Sequence, residues 1–161
     1  MNRLVTIGAY GFDREAFFLR LQAAQVDTFV DVRQRRGVRG AEYAFVNSMQ
    51  LQRRLAELDI RYVYIQELAP TKEIREIQKR HDLCHGIAKR SREQIGDAFA
   101  EEYRQRILSG YLVENFLNMI GPEAKVVALF CVERLPVACH RSLLSEYLRS
   151  GLDVPVEDLI P

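Results

Sequence analysis

Eleven residues near the C-terminal end, Cys131-Val132-Glu133-Arg134-Leu135-Pro136-Val137-Ala138-Cys139-His140-Arg141, hold most of the groups in this chain that can do chemistry. Pro136 reads as the start of a helix, which leaves Cys139 and His140 near a first turn whose unpaired N–H groups and dipole favour an anion. Arg141 adds a bidentate donor for phosphate or carboxylate. The same field would lower the pKa of the Cys139 thiol and make it a nucleophile, against the competing reading of an inert, buried cysteine. His140 beside an acid such as Glu133 could serve as general acid or base, or simply fix the loop by a hydrogen bond.

A second group of candidates lies earlier in the chain. In Asp31-Val32-Arg33 the period-two alternation of a strand points an acid and a guanidinium to the same side, as a shared site or as a mutual salt bridge. Gly8, Tyr10 and Glu67 also follow strand-like runs, and Arg35, Arg36 and Arg39 follow Arg33 with no acid before Glu42. From Lys72 to Arg92 seven Lys/Arg face three acids, and after Arg141 the sign reverses. The net charge of +1 excludes a uniformly basic nucleic-acid coat; the local imbalance fits either a basic face toward one anionic ligand or two solvated arginine-rich surfaces that keep the chain soluble.

These residues need a scaffold that delivers them to one place. Leu4–Gly8, Thr28–Val32, Tyr62–Ile65 and Val126–Val132 read as strands, the last apolar at nearly every position, as expected when helices cover both faces. Amphipathic segments fall between them: one after the N-cap Asp13, Ser48–Leu58, Thr71–His81, Ile95–Leu108, Tyr111–Ile120, and one from Pro136 to a stop at Gly151. Val154-Pro155-Val156 reads as an edge strand. This rhythm predicts an α/β fold, a three-layer sandwich with a mainly parallel four- or five-stranded sheet and helices on both faces, in a single domain over 1–161. Ligands of such sheets bind beyond the carboxyl ends of the strands, where the candidate residues lie.

Composition and failed motifs narrow the function. With 161 residues, 48% hydrophobic and 28% charged, the chain is expected to fold without staples; no apolar run is long enough to span a bilayer, no signal peptide opens it, and a cytoplasmic location is expected. Its three cysteines suit reduced thiols. Neither Cys84-His85 nor Cys139-His140 has zinc-knuckle spacing, so no metal and no cofactor is expected. No phosphate-binding glycine loop, dinucleotide fingerprint or nucleophile elbow occurs, and the arginine that a cysteine phosphatase needs six positions after its nucleophile is Ser145 or Val137 here.

Taken together, Thr6-Ile7-Gly8, Asp31-Val32-Arg33, Arg61-Tyr62 with Glu67-Leu68, and Cys131-x-Glu133-x-x-Pro136-x-x-Cys139-His140-Arg141 resemble the domain of unknown function 488 family. The resemblance implies a compact α/β domain in which Asp31, Arg33, Glu133, Cys139, His140 and Arg141 are signature residues, without assigning a reaction. From the residues themselves, the expected function is an enzyme acting on a phosphorylated substrate, a nucleotide or nucleic acid. In it Asp31 or Glu133 is the base, His140 moves a proton, Cys139 is a further candidate, and Gly8, Tyr10, Arg33, Arg35, Arg36, Glu67 and Arg141 bind substrate. The alternative is a non-catalytic nucleic-acid-binding module in which Arg35, Arg36, Arg39, Lys89, Arg90 and Arg92 contact phosphates.

Overall fold

In a computed structural model describing residues 1–88 and 91–161, five strands form one sheet. They are β1 (Arg3–Ile7), β2 (Thr28–Asp31), β3 (Arg61–Tyr64), β4 (Val126–Phe130) and β5 (Val156–Leu159), in the order β3-β2-β4-β1-β5, every pairing parallel. Because all strands run the same way, all their carboxyl ends emerge at one edge. The interior strands are hydrophobic on both faces, with Leu4, Val5, Phe29, Val30, Val127, Ala128, Leu129 and Phe130 fully buried, which is the signature of a sheet covered twice.

Alternation sorts these side chains between two cores. Val5, Ile7, Phe29, Ala128 and Phe130 face the helices α1 (Arg14–Ala23) and α2 (Ser48–Glu57), meeting Phe17, Phe18, Leu21, Leu51 and Leu55. Leu4, Val30, Val127 and Leu129 face the other way, toward α3 (Lys72–Cys84), α4 (Asp97–Tyr103), α5 (Val113–Ile120) and α6 (His140–Leu152), which contribute Ile74, Phe99, Tyr103, Phe116, Leu144 and Leu148. Asp13 caps α1 by accepting from the Ala16 N–H at 2.8 Å, and Thr71 does the same for α3 from Ile74 at 3.4 Å.

Several element ends differ from the sequence reading. The stretch that Pro136 opens is a separate 3-10 turn, Pro136–Ala138; extended backbone at Cys139 ends it, and α6 begins at His140 with Cys139 as its N-cap. α6 runs through Gly151 and stops where Asp153 adopts a left-handed φ of 50°. β5 begins after Pro155, which has no N–H for a ladder and contributes only its carbonyl, accepting from the Leu4 N–H at 3.0 Å. β4 ends at Phe130 because the chain then turns to the loop that follows β1: the N–H groups of Ala9 and Tyr10 both donate to the Val132 carbonyl, at 3.1 and 2.9 Å. Beyond Tyr103, α4 continues as a π-helical turn, Arg104–Leu108. Among the described residues, no helix is long and apolar enough to cross a membrane.

Candidate functional site

A cavity of about 530 Å³ opens at the carboxyl edge of the sheet, within the size range of small-molecule sites. The loop after β1 supplies Tyr10, and the loop after β2 supplies Arg33, Arg35 and Arg39. The segment after β4 supplies Cys131, Glu133, Cys139 and His140. One helical face adds Arg75, Gln78, Lys79 and Asp82 from α3, with Arg92 and Phe99 beyond it. Six cationic side chains thus share the walls with Glu76, Asp82 and Glu133, and the cavity carries an excess of positive charge.

The segment after β4 is held in place from beneath. The Cβ that a side chain at Gly8 would carry lies 1.8 Å from the Glu133 carbonyl oxygen, so only glycine allows this approach. Arg141 is fully buried and donates to the Glu133 carbonyl at 2.6 Å, the Arg134 carbonyl at 3.0 Å and the Thr6 hydroxyl at 3.3 Å; Thr6 in turn donates to Asp158 at 2.6 Å. Arg141, expected to grip an anion, instead fastens the loop, and Gly8 serves the same close packing; neither lines the cavity.

Asp31 and Arg33 form a buried bidentate pair, with Nε to Oδ1 at 2.9 Å and Nη2 to Oδ2 at 2.7 Å. The Tyr62 hydroxyl donates to the same carboxylate at 2.8 Å, and burial, then the Asp31 charge, pushes its pKa up to about 12. Both Asp31 oxygens are therefore engaged behind the cavity wall, where Asp31 orients Arg33. Arg33 stacks 4.6 Å above the Phe130 ring and keeps one buried donor, Nη1, without a hydrogen-bond partner among the described residues.

Two further candidates leave the site. Arg36 stacks 4.3 Å over Tyr64 at the sheet edge, and its hydrogen bond to Tyr62 raises its pKa. Glu67 is exposed in the turn after β3. Arg92, expected on a phosphate-binding surface, stays on the cavity wall, but its guanidinium is paired there with Asp82, Nε lying 3.2 Å from both carboxylate oxygens, and with Glu133 at 3.5 Å. Lys89 and Arg90 lie outside the described residues.

On the remaining wall Cys131, Cys139 and His140 are all buried, and their ligand atoms lie within 4.8 Å of one another. Cys139 is the N-cap of α6, and its Sγ is 3.6 Å from His140 Nδ1. The other ring nitrogen, Nε2, is 3.1 Å from the Val32 carbonyl, which can only accept; the proton therefore sits on Nε2, and Nδ1 turns its lone pair toward the sulfur. Tyr103, whose hydroxyl donates to the Leu68 carbonyl at 2.7 Å, packs edge-on against this ring. The hydrogen bond to Cys139, followed by burial, pushes the Cys131 thiol up to about 12. Burial alone would raise Cys139 too, but the Cys131 hydrogen bond and the charge of Arg141 outweigh it and hold this thiol below its ordinary value.

Of the residues singled out from sequence, Tyr10, Arg33, Arg35, Glu133, Cys139 and His140 thus meet in one cavity. Arg75, Lys79 and Asp82 were missed, although their spacing of four and three residues places them on one face of α3. A family model described as a domain of unknown function, DUF488, matches residues 13–148. No curated protein and no solved structure gave a match.

Proposed function

The chain belongs to the DUF488 family, and on that premise we propose that it is an enzyme acting on a phosphate-bearing substrate of about nucleotide size. The observation that carries the reading is the buried Arg33, whose spare Nη1 donor belongs to a side chain lining the same cavity as Glu133, Cys139 and His140. An unsatisfied buried donor is costly, and a ligand oxygen relieves that cost. Arg35 and Arg39, exposed at the rim, draw the anion in; Arg33 and Arg75 hold it; Glu133, at the far wall, takes a proton from the attacking group. Asp31 acts through Arg33 as a positioning residue. His140, fixed at Nε2 by Val32, keeps its Nδ1 lone pair for the reaction wall rather than swinging as a shuttle.

Two measurements check this. Because Arg35 and Arg39 are exposed, Arg35→Ala with Arg39→Ala should leave the fold intact while weakening binding of inorganic phosphate and a nucleoside 5′-monophosphate by roughly 10–100-fold. Calorimetric affinities equal to those of the unaltered protein would overturn the assignment of the rim. Glu133→Gln should lower turnover of phosphate esters by about 10²-fold or more in protein that remains folded. Turnover within a few-fold of the unaltered protein, or no ester turned over by that protein, would remove the catalytic reading.

A further inference from the structure

We propose that Cys131 Sγ, Cys139 Sγ and His140 Nδ1 form a three-ligand site for a soft divalent cation, zinc(II) by preference, with the fourth coordination position open to the cavity. The inference deepens the reading of this cavity as a reaction site and rests on it. Three buried donor atoms within 4.8 Å of one another leave room for one ion at about 2.3 Å from each sulfur and 2.0–2.1 Å from the nitrogen. Short side-chain rotations close the remaining gap.

The surroundings of the histidine favour this reading. A metal-bound imidazole ordinarily donates its other N–H to a carbonyl or carboxylate, which fixes the tautomer and aims the ligand nitrogen; Val32 supplies that carbonyl at 3.1 Å. Tyr103 packs against the ring and restrains its rotation. Donor chemistry selects the ion. Two thiolates and one imidazole are soft to borderline ligands that suit zinc(II), not magnesium or calcium. Two thiolates also balance the charge of a divalent ion, which a buried site requires.

Three protein ligands with an open fourth position are the arrangement of catalytic rather than structural zinc. All three ligands line the cavity that holds Arg33 and Glu133. A cation there would polarise a water or a substrate oxygen lying between the arginines and the Glu133 carboxylate. The competing account is a hydrogen-bonded thiol pair that closes to a disulfide under oxidation.

The test uses the full chain, reduced, stripped of metal and titrated with cobalt(II). The expected result is one cobalt per chain, with a thiolate-to-cobalt charge-transfer band, tetrahedral ligand-field intensity, and displacement by zinc(II). Cys131→Ser and Cys139→Ser should each weaken cobalt binding by roughly 100-fold or more. Absence of the charge-transfer band in the unaltered protein, or a band that survives both substitutions, would overturn the site. Alkylation of the unaltered protein provides a measurement that needs no variant. Zinc should protect Cys131 and Cys139 while exposed Cys84 reacts at the same rate with or without metal. Rates at Cys131 and Cys139 that zinc leaves unchanged, or loss of two thiols to a disulfide with no metal uptake, would count against the proposal. Phosphate affinity measured in metal-free protein reports on the arginine rim separately, so failure of the metal site and failure of the anion site give different results.

Discussion

Arg33→Met is expected to destabilise the protein by about 3–5 kcal/mol, because it leaves the fully buried Asp31 carboxylate without its bidentate partner. The Tyr62 hydroxyl and the backbone N–H of residue 33, 2.8 and 3.1 Å from Asp31, remain as donors but carry no compensating charge. Removing the acid as well should reverse much of the loss: in Arg33→Met with Asp31→Leu no charge stays buried, and apolar replacements of buried ion pairs are often neutral. Chemical denaturation of the single and double variants gives the coupling energy directly. The same pair separates stability from binding. If Arg33 Nη1 meets the ligand, the double variant regains stability without regaining affinity for inorganic phosphate. A single variant that loses less than about 1 kcal/mol would show that the pair does not anchor the loop after β2.

The reach of the sequence follows from which forces act locally. The strands were legible because a run such as Val126–Phe130, apolar at every position, has few alternatives to a twice-covered strand. The place of the cavity followed from the parallel sheet alone, since five carboxyl ends at one edge bring Tyr10, Arg33, Glu133 and His140 within one crevice. Roles were harder than places. For Asp31 and Arg33 the sequence left a shared site and a mutual salt bridge both open; the salt bridge forms, and what no local pattern gave is that Tyr62 joins it and one guanidinium donor is left spare. Arg36, in the same loop as Arg33, is captured by the Tyr64 ring, a contact between segments that no local pattern encodes.

The meeting of Cys131 with Cys139 and His140 escaped for a related reason. Metal-ligand rules look for short spacings that one turn can bring together, whereas Cys131 and Cys139 are eight positions apart and meet because the chain doubles back over Gly8. The loop after β1 holds that reversal through the Val132 carbonyl, and Arg141 holds it through the carbonyls of Glu133 and Arg134.

Arg141 is the instructive failure, because the signal was present. With Leu144 and Leu148 it lies on the i, i+3, i+7 stripe of α6, and all three are fully buried. An arginine in an apolar stripe points into the fold, and its donors must be met there. Arg141→Met keeps the volume but strands the carbonyls of Glu133 and Arg134 and the Thr6 hydroxyl, each of which now accepts a charge-assisted hydrogen bond. The expected cost is about 3 kcal/mol or more, a fall of roughly 6–12 °C in Tm for a chain of this size. Arg141→Lys should recover only part of it, since one ammonium cannot reach all three acceptors that Nε, Nη1 and Nη2 each meet separately. Lysine as stable as arginine would mean that charge, rather than the fork of donors, holds the segment. The consequence for the site is direct: this guanidinium fastens Glu133 itself, and Cys139 lies between Glu133 and Arg141 in the same segment, so its loss should weaken cobalt(II) binding and ester turnover together.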